Sequence, residues 1–309
     1  MELFQLKRQI DWVGQFKIAV TIATLLVVGS LALLAVRGLN FGVDFTGGLI
    51  VEVGYPDSKE LEGIRDTLTA AGYDGAVVQH FGTSRDVLIR IAPDDTDADR
   101  VSNAILRELR AEDPTVQMRR VEFVGPQVGD DLKEQGGLAM LLSIIGILIY
   151  VALRFEYRFA LGSVIALVHD VILTLGFFSL LGIEFDLVVL AALLAVIGYS
   201  LNDTVVIYDR IRENFLALRR ASTLEVINIS LNQTLSRTMM TGVTTLIVLT
   251  ALLFLGGQVM YGFSMALIFG VLIGPLSSIY VASAAVMALG VSKQDLMPVK
   301  KEDVTDSMP

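Results

Sequence analysis

Hydrophobic and polar positions fall into two regimes along this chain. Six stretches stay apolar over about the 20 residues that a spanning helix needs: 18–37, 137–155, 159–181, 187–207, 237–256 and 263–289. They predict six transmembrane helices. Residues 38–131, between the first two, alternate instead. Leu49, Val51 and Val53 recur at the two-residue period of a strand. Asp57 and Glu60 resemble a capping box, and Leu61, Ile64 and Leu68 follow at helical spacing. Ala76–Phe81 and Val87–Ile91 read as strands joined by the turn-prone GTSRD, 82–86. Thr96 and Asp99 resemble a second cap before Val101, Ile105 and Leu109 on one helix face. Val116–Val124 is a last strand, stopped by Gly125-Pro126. The order βαββαβ predicts a small α+β, ferredoxin-like domain. The expected fold class is thus a membrane all-α bundle of six transmembrane helices with that domain on the extracytoplasmic side.

Lys and Arg in the short loops set the orientation. Lys7, Arg8 and Lys17 precede the first span, and Arg154 and Arg158 lie between the second and third. Arg210, Arg212, Arg219 and Arg220 follow the fourth, and Lys293, Lys300 and Lys301 follow the sixth. The opposite loops, LGIEFD (181–186) and GGQVMYG (256–262), carry no Lys or Arg. The N-terminus (1–17), the loop 208–236 and the tail 290–309 are therefore expected in the cytoplasm, and 38–131 outside. The first span is longer than a signal-peptide core, and ALLAVRG lacks a clean A-x-A site, so it reads as an uncleaved anchor. Ile211, Phe215, Leu218 and Leu224 among charges predict an interfacial helix over 210–229.

Composition agrees with a polytopic membrane protein: 53% hydrophobic and 18% charged residues, with mean hydropathy +0.64. The net charge of −9 comes largely from acids in 38–131, and long loops translocate whatever their charge. Without cysteine there are no disulfides, thiolate metal sites or cysteine nucleophiles. His80 alone in the soluble domain suggests no metal, and nothing in the pattern points to a cofactor, an enzyme or a nucleic-acid partner.

The candidate chemistry lies inside the spans. Asp203 sits near the end of LVVLAALLAVIGYSLNDTVVI (187–207). A carboxylate at the centre of a bilayer costs about 2.5–3.5 kcal/mol on insertion scales, so such residues usually face a bundle interior and mark an ion path. The plainer alternative is a span that ends early and leaves Asp203 in water. Val205, Val206 and Ile207 continue the apolar run and favour burial, with Ser200, Asn202 and Thr204 as hydrogen-bonding neighbours. Arg237 opens the fifth span, either snorkelling at the interface or pairing with Asp203 across antiparallel helices. His169 and Asp170 lie mid-way along the third span. Adjacent helical positions diverge by about 100°, so each is expected to meet a different neighbour, in a structural network or in a secondary ion path. Small residues (Gly162, Ser163, Gly176, Gly198, Gly242, Gly270, Gly274) favour close packing, and Pro275 predicts a kink. Two connections, GLNFGVDFTGG (38–48) and VGPQVGDD (124–131), read as hinges or rigid turns through Asp44, Gly47, Gly48, Gly125 and Pro126.

Five segments carry a family resemblance: GVDFTGG (42–48), VEFVGPQVG (121–129), VIGYSLNDTVVIYDRIREN (196–214), LSRTMMTGVTT (235–245) and SSIYVASA (277–284). With them the chain resembles the SecF family, the smaller membrane subunits of the bacterial SecD–SecF protein-export complex, within the resistance-nodulation-division superfamily. The resemblance implies half of a twelve-span machine in the bacterial inner membrane, with SecD as the other half. It implies use of a proton gradient, or sodium in some bacteria, to draw translocating polypeptide outward after the SecA step. The SecYEG translocon and YajC are the further partners implied. Asp203 and Arg237 match the family's ion-coupling positions, and 38–131 matches its smaller periplasmic domain. The residues alone reach only a transport-like bundle with a buried acid and an outer domain. A small-molecule or lipid transporter half-unit of the same superfamily is the alternative. A passive scaffold and an intramembrane aspartyl protease are more distant ones, and no GxGD element follows to supply the protease's second aspartate.

Overall fold

A computed structural model describes residues 9–92, 98–218 and 220–291. Lys7, Arg8, Thr96, Arg219, Lys293, Lys300 and Lys301 lie outside the described residues. A 3-10 turn leads into α1 (Phe16–Arg37), followed by β1 (Asn40–Phe41), α2 (Val43–Thr46), β2 (Gly48–Gly54) and α3 (Leu61–Ala70). Next come β3 (Val77–Phe81), β4 (Thr83–Ile91), α4 (Ala98–Glu112) and β5 (Gln117–Val124). The remainder is helical apart from one short strand: α5 (Pro126–Arg154), α6 (Tyr157–Leu181), β6 (Glu184–Phe185), α7 (Leu187–Ala217), α8 (Thr223–Leu255), α9 (Tyr261–Ser277) and α10 (Ser283–Ala288). A π-helical turn, Ser278–Ala282, separates α9 from α10. Six helical segments among the described residues are long and apolar enough to cross a membrane.

Between α1 and α5, one sheet runs in the order β3-β4-β2-β5, each neighbouring pair antiparallel. Val51, Val53, Val87 and Ile89 of the sheet pack with Ile64 and Leu68 of α3 and Ile105 and Leu109 of α4, all fully buried. β2 is buried on both faces because Ile50 turns the other way, onto Val43 and Leu88. This is why its polarity alternates so little. The capping box expected at Asp57–Glu60 does not form. Glu60 is the N-cap of α3 without a side-chain bond, and Lys59 N–H is taken by the Ser84 carbonyl at 3.1 Å. Both apolar clusters close within 41–131, so this segment expressed alone is expected to melt in one cooperative transition. A non-cooperative or disordered chain in a calorimetric scan would contradict that.

Two helical boundaries differ from expectation. α5 starts at Pro126, not 137. Gly125 is the extended N-cap, and proline at the first helical position sacrifices no hydrogen bond. The Gly- and Asp-rich stretch after it is therefore helix. The loop expected over 208–236 is also mostly helix. α7 runs on to Ala217 and α8 begins at Thr223, fixed by a capping box in which Ser222 and Glu225 exchange bonds. Ile211 and Phe215 pack with Val226, Ile227 and Leu231 in one core, so their apolar faces meet each other instead of forming a single interfacial helix.

The two motif connections meet at a packed joint. β1 pairs in parallel with β6, and Gly42 N–H donates to the Phe185 carbonyl at 2.9 Å. Asp44 accepts from Leu187 N–H at 3.0 Å, while Phe45 stacks on Phe185. Arg90 of β4 donates to the Phe41 carbonyl and pairs with Glu184 at 3.3 Å. Burial pushes the Glu184 carboxyl above its usual range, against the pull of Arg90. Gly47 has φ +68, and a Cβ there would stand 3.0 Å from Pro126 Cα. A Cβ on Gly129 would stand 2.8 Å from Gly47 N. Backbone thus lies directly on backbone where the GG and GP motifs touch.

Candidate ion-coupling site

Helix contacts made by small residues place the site. A Cβ on Gly270 of α9 would fall 2.4 Å from Val196 of α7, and one on Gly176 of α6 would strike Ser30 of α1. Gly162 leaves room for Tyr208, and Gly274 lies against Ser200. Gly198, by contrast, faces open space, and a Cβ on Gly242 would stand 3.9 Å from Tyr199 Oη, an ordinary contact. Close approach of α6, α7 and α9 buries a set of polar side chains in an otherwise apolar bundle: Asp170, Ser200, Asp203, Thr204, Ser277 and Ser278.

Asp170 is the hub of this set. Its Oδ2 accepts from Ser200 Oγ at 2.5 Å and from Ser277 Oγ at 2.7 Å. Its Oδ1 lies 2.9 Å from His169 Nδ1. The expectation that His169 and Asp170 meet only different neighbours is thus corrected. The 100° divergence holds for the Cα–Cβ bonds, but the carboxylate and the imidazole fold back to meet. One turn further on, Thr204 Oγ1 and Ser278 Oγ are 2.8 Å apart, and Tyr208 Oη donates to the Ala282 carbonyl at 3.2 Å. These bonds register α7 on the π turn that follows Pro275. A π turn in a membrane helix often marks a functional position.

Asp203 stands apart from that network. It is 2% exposed, and its Oδ2 has no hydrogen-bond partner among the described residues. Thr238 and Arg237 of α8 are its polar neighbours, the arginine acting through its charge. Arg237 is exposed and does not reach the unpartnered Oδ2. Asn202 is also exposed and makes none of the hydrogen bonds of this site. The geometry therefore brings His169 to Asp170 and Arg237 within range of Asp203, and leaves Asn202 outside. Sequence reasoning missed the role of Ser277 and Ser278, although a serine pair two residues after a proline in an apolar span is the kind of signal that could reveal it. No group of acids and histidines among the described residues has metal-binding geometry.

Residues 104–292 match the family described as protein export membrane protein SecD/SecF, C-terminal, and residues 32–55 match the SecD/SecF GG motif. The chain belongs to the SecD/SecF protein-export family. It is 47% identical to the protein translocase subunit SecF of Vibrio alginolyticus, with 100% of this chain and 99% of that protein covered. It is also 47% identical to the SecF subunit of Pseudomonas aeruginosa, covering 97% of this chain and 98% of the relative. The crystal structure of SecDF, a translocon-associated membrane protein from Thermus thermophilus, superposes on 93% of this chain with TM-score 0.85 and 37% identity. The chain spans only 39% of that SecDF chain. A second SecDF structure, in a super-membrane-facing form, gives TM-score 0.70 over the same share. The helical bundle is therefore that of a SecD/SecF-type membrane protein, and the GG motif of the family is the stretch that forms the packed joint.

Proposed function

We propose that this chain is the SecF-type half of a SecD–SecF machine in the bacterial inner membrane. It assists polypeptide export through the SecYEG translocon, with YajC as a further associate, and it uses a proton gradient or, in its place, a sodium gradient. Both termini face the cytoplasm, and the βαββαβ unit is a ferredoxin-like domain on the outer side. The membrane-embedded part follows the six spanning helices, and 208–236 forms the cytoplasmic ends of α7 and α8. The chain acts as a transport subunit and carries no catalytic residue.

One observation carries this reading: a buried carboxylate with an unpartnered oxygen and an arginine in electrostatic range. A fixed, unpaired charge in a low-dielectric bundle is costly, so exchange of a bound ion at Asp203 relieves it in one state of a cycle. Arg237 biases that exchange. α8 exposes Met240, Val243, Ile247 and Val248 alongside Arg237, an apolar face suited to a second helical half. SecD supplies that half in this reading. The relatives are named as translocase subunits, which favours polypeptide over small-molecule or lipid cargo. Inverted membrane vesicles with and without this chain, both containing SecD, test the reading. Gradient-dependent protein export is expected to fall to the level seen with the gradient collapsed when the chain is missing. Equal export in both would sink it.

A further inference from the structure

The best-satisfied acid in the bundle has one open end. Asp170 receives three donors: Ser200 from α7, Ser277 from α9 and His169 Nδ1 from its own helix. His169 is 10% exposed, and its Nε2 is buried with no hydrogen-bond partner among the described residues. The same ring lines two grooves on the α1 side of the bundle. One, of about 660 Å3, runs between α1, α6 and α10 and ends at Lys17. The other, of about 200 Å3, lies between α1, α6 and α9. A buried polar nitrogen without a partner is costly, so an imidazole placed this way needs a reason.

We propose that His169 and Asp170 form a second proton-binding site, entered at His169 Nε2 from the α1 groove and read by α7 and α9 through Ser200 and Ser277. The idea rests on the proposed ion-driven function and adds a site to it. The balance is simple. A solvent proton binds the Nε2 lone pair, and the Nδ1 proton passes to Asp170 Oδ1. The products are a neutral imidazole protonated at Nε2 and a neutral carboxylic acid, with one proton gained. A carboxylate accepts hydrogen bonds about twice as strongly as a neutral acceptor. Neutral Asp170 therefore holds Ser200 and Ser277 less tightly, loosening α6 from the segment of α7 that carries Asp203 one turn on. Donors already occupy both carboxylate oxygens, and a nitrogen stands at the entrance. That set suits a proton and leaves no oxygen cage for sodium. The charged or titratable groups that share the grooves among the described residues are Lys17 of α1 and Tyr280 of the π turn. The α10 lining is apolar, and α7 brings the Ser200 hydroxyl to Asp170.

The chain has two histidines, so nitrogen NMR of the 15N-histidine-labelled full chain, reconstituted with SecD in lipid, isolates His169 once His80→Gln removes the other. At about pH 8 the ring is expected to carry its proton on Nδ1, with a bare Nε2 signal. That signal is expected to vanish over an acid titration as the site takes up its proton. Asp170→Asn should abolish the Nδ1 preference. His169→Asn keeps a donor for Asp170 but has no second nitrogen. It is expected to flatten the pH profile of gradient-driven export while leaving assembly with SecD unchanged. A bare Nε2 signal that persists across the titration, or a His169→Asn profile that superposes on the parent, overturns the proposal. If the NMR change occurs while removal of the chain leaves gradient-driven export unchanged, the proton site stands and the ion-driven reading falls instead.

Discussion

Asp203→Asn is expected to abolish the gradient-dependent part of polypeptide export while leaving the chain folded and bound to SecD. Asparagine keeps the shape and hydrogen-bonding capacity of aspartate but does not exchange a proton or hold a cation by charge. The side chain is buried and one oxygen is unpartnered, so the isostere removes an unpaired charge without removing a contact on which packing depends. Moving one charge across 100 mV is worth about 2.3 kcal/mol, which biases a two-state equilibrium by about 50-fold. Losing that bias should bring stimulation in proteoliposomes to the level of a collapsed gradient. The SecA step that precedes it should be far less affected. Arg237→Met is expected to impair coupling as well, because it deletes the charge that acts on Asp203. Full stimulation in Asp203→Asn at normal expression would make the aspartate structural and move the ion path elsewhere.

Gly129→Val should unseat the joint between the four-stranded sheet unit and the helical bundle. Even the first carbon of the new side chain would lie 2.8 Å from Gly47 N and 3.0 Å from the Phe45 carbonyl oxygen. Those are backbone atoms of α2 and its C-cap Gly47, which Asp44 and the Phe45–Phe185 stack hold against the start of α7. Overpacking of this kind costs about 1–3 kcal/mol and at times more. In a chain of this size the thermal midpoint in detergent should drop by about 2–5 °C. Gly198→Ala is the matched control. It lies inside α7 with open space around its Cβ position. It should therefore be neutral or stabilise by about 0.4–1 kcal/mol. If Gly129→Val melts with the parent, the motifs do not bear on each other as described.

The long apolar runs made α1 and α6 legible, because an uninterrupted run of spanning length has few other outcomes. The alternation at Leu49, Val51 and Val53 likewise marked β2. The start of α5 was hidden because Gly125-Pro126 signals a stop as well as a helix start, and the polar residues after it mask the helix. The ends of α7 and α8 were hidden by their arginines, which resemble a loop once the apolar run fades. No local pattern could reveal β1 and β6: each is two residues long, and they pair across more than 140 positions. Within the site, burial of Asp203 was readable from Val205–Ile207 beyond it. The attachment of Asp170 to Ser277 was not, since it depends on which face of α9 meets α6. The same dependence on helix rotation decides that Arg237 is exposed and lies near Asp203 without touching it.

Difference infrared spectroscopy addresses the ion exchange at Asp203 most directly. The chain is reconstituted with SecD and spectra are compared with an ion gradient imposed and collapsed. The account predicts a gradient-dependent carboxyl change that is missing in Asp203→Asn. With a proton gradient it is a carboxylic-acid carbonyl band, and with sodium a displaced carboxylate stretch. A carboxyl region indifferent to the gradient, or a change that survives in Asp203→Asn, would contradict the account.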